Sequence, residues 1–249
     1  MNPVFRNILL SYVRPICSTG RPRSLSAEVT IDTISYVLRT GCQWRNTPVV
    51  GASWQCVYAW FNELSRKHVF ERAYKDLLRF YANRHGISTD IITDTSFVKN
   101  VYGRDCLGRS YYDRGRKATK VSALVDRRGI PIQLLFHPGN KYDGKTLAHL
   151  MQKAASHVDF TGKRIYADRA YDCERCRDVV TRHRAVQRFT KKRTVIDKTD
   201  NRVRVVVEHT FGWLDKYRRI IVRYDALVRH FRSFHYLACF HLLSNRLSR

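Results

Sequence analysis

Three carboxylates of this 249-residue chain stand where chemistry could be built. Asp94 lies in the stretch ITDTSFV, beside Ile92, Phe97 and Val98. An unpaired carboxylate there would cost several kcal/mol, roughly, unless a cation meets it. Asp168 follows the short apolar run Ile165, Tyr166 and Ala167, where the end of a strand in an open α/β sheet presents side chains to a ligand. Glu208 falls on the flank of a helical stripe made by Val203, Val206, Val207, Thr210, Phe211, Leu214 and Ile221. It stacks with Arg204 four residues before it and Asp215 seven residues after it, so it can look along a sheet edge. Carboxylates from three separate elements can hold two divalent ions about 3.5–4 Å apart, one activating an attacking hydroxyl and the other stabilising the leaving oxygen of a phosphodiester. Magnesium accepts such sparse oxygen ligation. Each residue also has a plain structural reading: Glu208 with Arg204 is an ordinary i, i+4 ion pair, and Asp168 can cap the turn that follows it.

The elements that must position these groups can be read from periodicity. Ser88 to Val98 alternates with period two, placing Ile91, Thr93, Thr95 and Phe97 on one face and Ile92, Asp94, Ser96 and Val98 on the other. After a Gly, Arg and Tyr loop (Gly103 to Lys117), Thr119 to Val125 and Pro131 to Phe136 read as a hairpin turning at Arg127, Arg128 and Gly129. A helix over Asp143 to Ser156, a strand over Arg164 to Asp168, a helix over Glu174 to His183 and a strand over Ala185 to Phe189 follow. The charged connector Lys191 to Arg202 leads into a long helix from about Val203 to Tyr217, and Phe231 to Leu247 reads as a further amphipathic helix. Three strands, a helix, a strand, a helix, a strand and a long helix is the order of a ribonuclease H-like fold. The expected class is therefore α/β, with a ribonuclease H-like mixed sheet flanked by helices.

Residues 1–86 differ in character. Ser26 can cap a helix whose apolar face is Ala27, Thr30, Ile31, Ile34, Val37 and Leu38, with Gly41 placed to end it. Ser53 can cap a second (Trp54, Val57, Tyr58, Phe61, Leu64), and a third carries Phe70, Tyr74, Leu77, Leu78 and Tyr81 before Gly86. A small all-α unit with short connections has the size of a helix-turn-helix DNA-binding module. It reads equally as a helical cap packed on the next domain. The expected domains are thus 1–86, helical, and 87–249, catalytic with a C-terminal helix.

Charge names the partner class. Lys and Arg number 46 against 21 Asp and Glu, a net +25, with 44% hydrophobic residues to fill a core. A disordered basic tail is excluded. Such a chain repels itself unless something anionic lies against it, and a phosphate backbone is the natural counterpart. The surplus covers both parts: 12 basic and 5 acidic residues over 1–86, then 34 and 16 beyond. No apolar run reaches the roughly 18 residues of a membrane span. The opening stretch carries Arg6 and Arg14 and lacks a signal core. Seven cysteines, an odd number, read as reduced thiols in an intracellular protein. Cys173 and Cys176 form a lone CxxC near His183, and without a second pair they read as two thiols on adjacent helical turns, not a zinc site.

With these residues in view, ITDTS (Ile92 to Ser96), ADRAYD (Ala167 to Asp172) and VVEHTFGWLDKYRRI (Val206 to Ile220) resemble the three catalytic motifs of DDE transposases from insertion sequences. They are closest to the group named after insertion sequence five, to which the Harbinger transposases are related. GRKATKVSALVDRRGIPIQ is similar to that family's strand-hairpin block, and YVLRTGCQWRNTP with WQCVYAWF to its N-terminal domain. The resemblance implies that Asp94, Asp168 and Glu208 are a metal-binding triad for two Mg²⁺ or Mn²⁺ ions. It implies a transposase that binds the terminal inverted repeats of its own element, cuts DNA and joins the freed 3′ end to a target, working on DNA as a homodimer or larger assembly. Arg204 stands where an arginine often precedes the glutamate. Lys216, Arg218 and Arg219 extend the same helix as expected DNA contacts, joined by Arg45 and by Lys191, Lys192 and Arg193. Relatives with the Tyr, Arg, Glu, Lys signature have a tyrosine and a lysine where this chain has Asn201 and Asp215, with Lys216 one step later. Two other readings compete: a domesticated, catalytically silent copy that binds DNA, and a ribonuclease H-like nuclease without transposition.

Overall fold

The computed structural model describes residues 3–17, 25–49, 51–109, 114–190 and 198–248. Within them the chain packs as two compact units, one of residues 84–100 and 106–213, the other of residues 1–83, 101–105 and 214–249.

The first unit is built on a mixed sheet whose principal strands are β1 (Asp90–Asn100), β2 (Lys117–Asp126), β3 (Pro131–Pro138), β4 (Arg164–Ala167) and β5 (Val186–Phe189). β2 runs antiparallel to β1 and β3 antiparallel to β2, whereas β4 is parallel to β1 and β5 parallel to β4. The order is β3-β2-β1-β4-β5, the ribonuclease H-like arrangement expected from the element order. β2 and β3 are joined by the tight turn at Gly129, whereas the parallel neighbours need crossovers, supplied by α5 (Leu147–Ala154) and α6 (Glu174–Arg182). Leu147, Leu150, Met151 and Ala154 of α5 and Cys176 and Val180 of α6 bury one sheet face, against Ile91, Leu124, Ile132, Ile165 and Ala167. α5 is shorter than expected, because Asp143–Lys145 forms a separate 3-10 turn.

α7 (Lys198–Leu214) buries Val203, Val207, Thr210 and Leu214, spacings of four, three and four that keep one narrow stripe inward. The Thr210 hydroxyl lies 3.3 Å from the Gly129 carbonyl. Gly129 has φ +75°, and a Cβ there would come within 2.6 Å of the Trp213 ring. The hairpin tip must therefore be glycine both to turn and to admit α7.

The other unit is helical: α1 (Pro3–Cys17), α2 (Ala27–Thr40), α3 (Trp54–Arg66), α4 (Val69–His85), the short α8 (Arg218–Ile221) and α9 (Val228–Leu247). α1 was not foreseen from the sequence. Ser26 caps α2 through its hydroxyl, which accepts from the Val29 amide at 3.2 Å, and Gly41 ends it at φ +69°. Ser53 sits at the start of α3 but makes no side-chain cap.

Two expected helices differ in the structure. The helix expected to be amphipathic near the C-terminus, α9, packs with α2 and α3 and is buried on every side from His230 to Ser244 apart from Arg232. A helix buried on every side is a core helix even when it carries polar residues, provided these find partners. The long helix does not run on to Tyr217 or beyond. It stops at Leu214, the Tyr217 amide closes a turn onto the Leu214 carbonyl at 2.9 Å, and a new short helix starts at Arg218. The physical reason is burial: Arg219 and Ile220 enter the helical core, and Tyr217 meets His241 edge-on at 5.9 Å. Ile221, expected on the α7 stripe, is consequently 45% exposed. No helix among the described residues is long and apolar enough to cross a membrane.

Candidate active site

Asp94 and Asp168 owe their meeting to sheet register. Ile92 of β1 pairs with Tyr166 of β4 in parallel, so the residues two further along, Asp94 and Asp168, share one level and one face. Neighbouring strands are about 4.8 Å apart. Asp168 lies one residue past β4, at the carboxyl end where parallel strands open toward ligands.

Both carboxyls are fixed by local backbone. Asp94 Oδ1 accepts from the Thr95 amide at 2.7 Å. Asp168 Oδ1 accepts from the Ala170 amide at 2.9 Å, capping the 3-10 turn Arg169–Tyr171; the capping reading of Asp168 is thus realised, and it holds the carboxyl at the strand end. Burial pushes the Asp94 carboxyl up to about 6, against the Thr95 amide and the Arg204 charge, which favour ionisation; the negative charges of Asp168 and Glu208 push it further up. Asp168 is also raised by burial, opposed by the Ala170 amide and Arg204.

Glu208 and Arg204 reach this spot from α7. Glu208 is exposed and Arg204 half-buried, with one Arg204 amino group 3.3 Å from the Thr190 hydroxyl at the end of β5. Arg204 is thus the cation whose charge favours ionisation of both aspartates. Among the described residues no three of His, Cys, Asp and Glu form a ready-made metal cage. The arrangement is an open group of acidic oxygens whose mutual repulsion a divalent cation would relieve.

Several residues that sequence reasoning missed support this floor. On the opposite sheet face, Thr95 Oγ1 lies 2.6 Å from Ser122 Oγ and 3.1 Å from the Tyr171 hydroxyl, and Ser122 Oγ lies 2.7 Å from His137 Nε2. Burial pushes His137 down to about 4, so this chain is neutral and locks the strand that carries Asp94. Lys120 is buried in β2, donating to Asp143 Oδ1 at 2.9 Å and to the Lys141 carbonyl at 3.1 Å, with its ammonium over the Phe97 ring. Asp143 in turn adds to the negative field at Asp168. A lysine inside the apolar run of β2 was the one available signal for this pair.

The remaining cations diverge. Arg45, Lys216 and Arg218 are exposed. Arg219 is not: it is buried, with one amino group 2.8 Å from Asp225 Oδ1 and the other directed at the Cys42 carbonyl at 3.3 Å. It is spent on the helical core. Because α7 ends at Leu214, Lys216, Arg218 and Arg219 do not continue the Glu208 helix as expected. Lys191, Lys192 and Arg193 lie outside the described residues. Cys173 and Cys176 carry free thiols, with the Cys176 thiol donating to the Gly144 carbonyl at 3.2 Å.

Comparisons with known proteins identify the family. Residues 7–74 match the model described as a putative transposase of the IS4/5 family, and residues 88–243 match the transposase DDE domain. A putative transposase for insertion sequence element IS402 of Burkholderia cepacia is 29% identical over 59% of this chain and 73% of its own. One for IS6501 of Brucella ovis is 30% identical over 49% of this chain and 94% of its own. Among solved structures, the catalytic domain of Mos1 mariner transposase aligns at 12% identity over 71% of this chain and 92% of that one, with a TM-score of 0.33. The chain belongs to the DDE transposases of insertion sequences, enzymes that cleave DNA and transfer its strands.

Proposed function

We propose that Asp94, Asp168 and Glu208 are the catalytic carboxylates of this transposase, acting on the terminal inverted repeats of its own element. The observation that carries the reading is the parallel Ile92–Tyr166 pairing two residues before Asp94 and Asp168, with Asp168 and Glu208 both close enough to act on Asp94 electrostatically. The donor set suits hard divalent cations, Mg²⁺ or Mn²⁺: oxygen only, acidic, and partly open to solvent. Two such ions, when bound, would activate the attacking hydroxyl and stabilise the leaving oxygen.

The chain's own contribution is placement. Thr95 and Ala170 amides hold one oxygen each of Asp94 and Asp168, leaving the other oxygen of each carboxyl for ligation. Arg204 limits the repulsion among the acids before any ligand arrives, and its position one turn ahead of Glu208 suits contact with a DNA phosphate. Arg45, Lys216 and Arg218 offer exposed charge for the backbone, a sequence-independent grip.

Amide replacements test the assignment. Asp94→Asn, Asp168→Asn and Glu208→Gln should each abolish Mg²⁺-dependent cleavage of labelled element ends and leave DNA affinity intact. Full cleavage by any of the three would remove that residue from the triad. Binding without cleavage or strand transfer by the wild type would favour a silent DNA-binding role.

A further inference from the structure

The helical unit contains a cavity of about 480 Å³ that the cleavage chemistry does not use, lined by Gly41, Gln43, Trp44, Arg45, Trp54, Tyr102, Arg219 and Tyr224. Its size lies within the range of small-molecule pockets. Four of its eight linings are aromatic, two are arginines and none is acidic.

The walls are held firmly. Trp44 packs against Tyr58, Phe61 and Phe234, with ring centroids 5.4, 5.1 and 6.1 Å away. The segments bearing Tyr102 and Tyr224 are bound to each other: the Val101 amide donates to the Arg223 carbonyl at 3.0 Å and the Arg104 amide to the Ala226 carbonyl at 2.8 Å. The buried Arg223 guanidinium bonds Asp105 and the Asp225 and Ala226 carbonyls, fastening the same two segments. Yet Tyr102 is 67% and Tyr224 45% exposed, their rings 6.1 Å apart. Two rings on a rigid base are left facing solvent.

The lining points to the ligand. Its aromatic rings suit a flat aromatic body, and two arginines with no acidic neighbour suit an anion, with Arg45 exposed to meet it. An apolar side chain from another protein would leave that charge unanswered.

We propose that this pocket receives one unstacked nucleobase of the DNA substrate, stacked against its exposed tyrosine rings, with its phosphate toward Arg45. The proposal rests on the DNA-transposing role and adds a subsite to it. A base in a closed duplex cannot enter without leaving the stack, so the pocket selects nucleotides that are already unpaired. Frayed or cut ends of DNA supply them.

The test uses the full chain and two duplexes of identical sequence, one blunt and one ending in a single unpaired 2-aminopurine nucleotide. The wild type should bind the extended duplex about tenfold more tightly, as base–aromatic stacking provides, and should quench the 2-aminopurine emission. Tyr102→Ala with Tyr224→Ala should bind the blunt duplex like the wild type and lose both preference and quenching, whereas Tyr102→Phe with Tyr224→Phe keeps both. Both tyrosines are exposed, and a matching far-ultraviolet melting curve confirms that the alanine variant is folded. Equal wild-type binding to both duplexes, or an alanine variant that retains the preference, overturns the proposal. So does an alanine variant altered only in oligomeric state, which would mark a protein contact. Failure of the wild type to bind either duplex would defeat the DNA-binding reading itself, a distinct result.

Discussion

At Asp94 the proposed catalytic role and stability pull in opposite directions. Its carboxyl is pushed from an ordinary 3.8 up to about 6 by burial and by the neighbouring acids. A folded-state value above the unfolded one means that the favourable contribution is complete below the unfolded value and is lost as pH rises through about 6. At pH 7 the ionised carboxylate therefore destabilises the metal-free fold, by at most about 3 kcal/mol and less where water reaches the group. Asp94→Asn should accordingly raise the melting temperature at pH 7 while removing cleavage, and the gain should vanish near pH 3.5. Added Mg²⁺ should narrow the gap by stabilising the wild type alone. Thermal melts at the two pH values, with and without the ion, check this; equal melting at pH 7 would mean the acids are not in conflict. Asp94 and Asp168 could be singled out from an acid inside an apolar strand and an acid at a strand end. Arg219 could not be sorted from Arg218, because both are simply arginines beside a helix, and only packing sends one to Asp225 and the other to solvent.

Among the elements, α7 depends on the tip of the β2–β3 hairpin. Gly129→Ala forces a left-handed backbone on an L residue, costing about 1–2 kcal/mol, and drives a methyl against Trp213, for about 1–3 kcal/mol more. Gly115 has a similar φ of +72° with nothing near its Cβ position. Gly115→Ala should therefore cost the first amount only. Urea unfolding of both variants isolates the packing of α7 on the turn, and equal losses would show that the ring moves aside freely. Strand and helix types were legible because periods of 2 and 3.6 differ plainly. The end of α7 was not: WLDKYRRI carries no Gly or Pro, and its break follows from Tyr217, Arg219 and Ile220 being drawn into another core. α9 reads as amphipathic, yet its three histidines, His230, His235 and His241, are all buried, paired with Asn62, the Phe231 carbonyl and Ser35.

Across the whole molecule, those buried imidazoles set an acid limit. Burial pushes His137, His235 and His241 each down to about 4. Because these values lie below the ordinary 6.5, their contribution is full above pH 6.5 and is lost as pH falls toward 4, at most about 3 kcal/mol per residue. Unfolding free energy should drop steeply between pH 7 and 4.5, with a sign opposite to that of Asp94; a flat profile over that interval would refute it. The net +25 acts on DNA affinity instead of the fold. Binding to generic duplex should weaken about a thousandfold between 50 and 200 mM salt if about six phosphates are neutralised, and a shallow slope in a salt titration would place the charge away from the DNA.

Sequence by itself determined the reaction class, because motifs that resemble a known family, in the order of a known sheet, are local patterns that survive without coordinates. It determined the substrate class through charge, which is additive and needs no geometry. Only the tertiary structure decided which residues share a level and which cations remain free. Register brings Asp94 beside Asp168, a residue 74 positions later. Long-range burial takes Arg219, Tyr217 and all of α9 into the helical unit. Both depend on how much apolar surface each segment can hide against partners distant in the chain, a quantity that no local window contains.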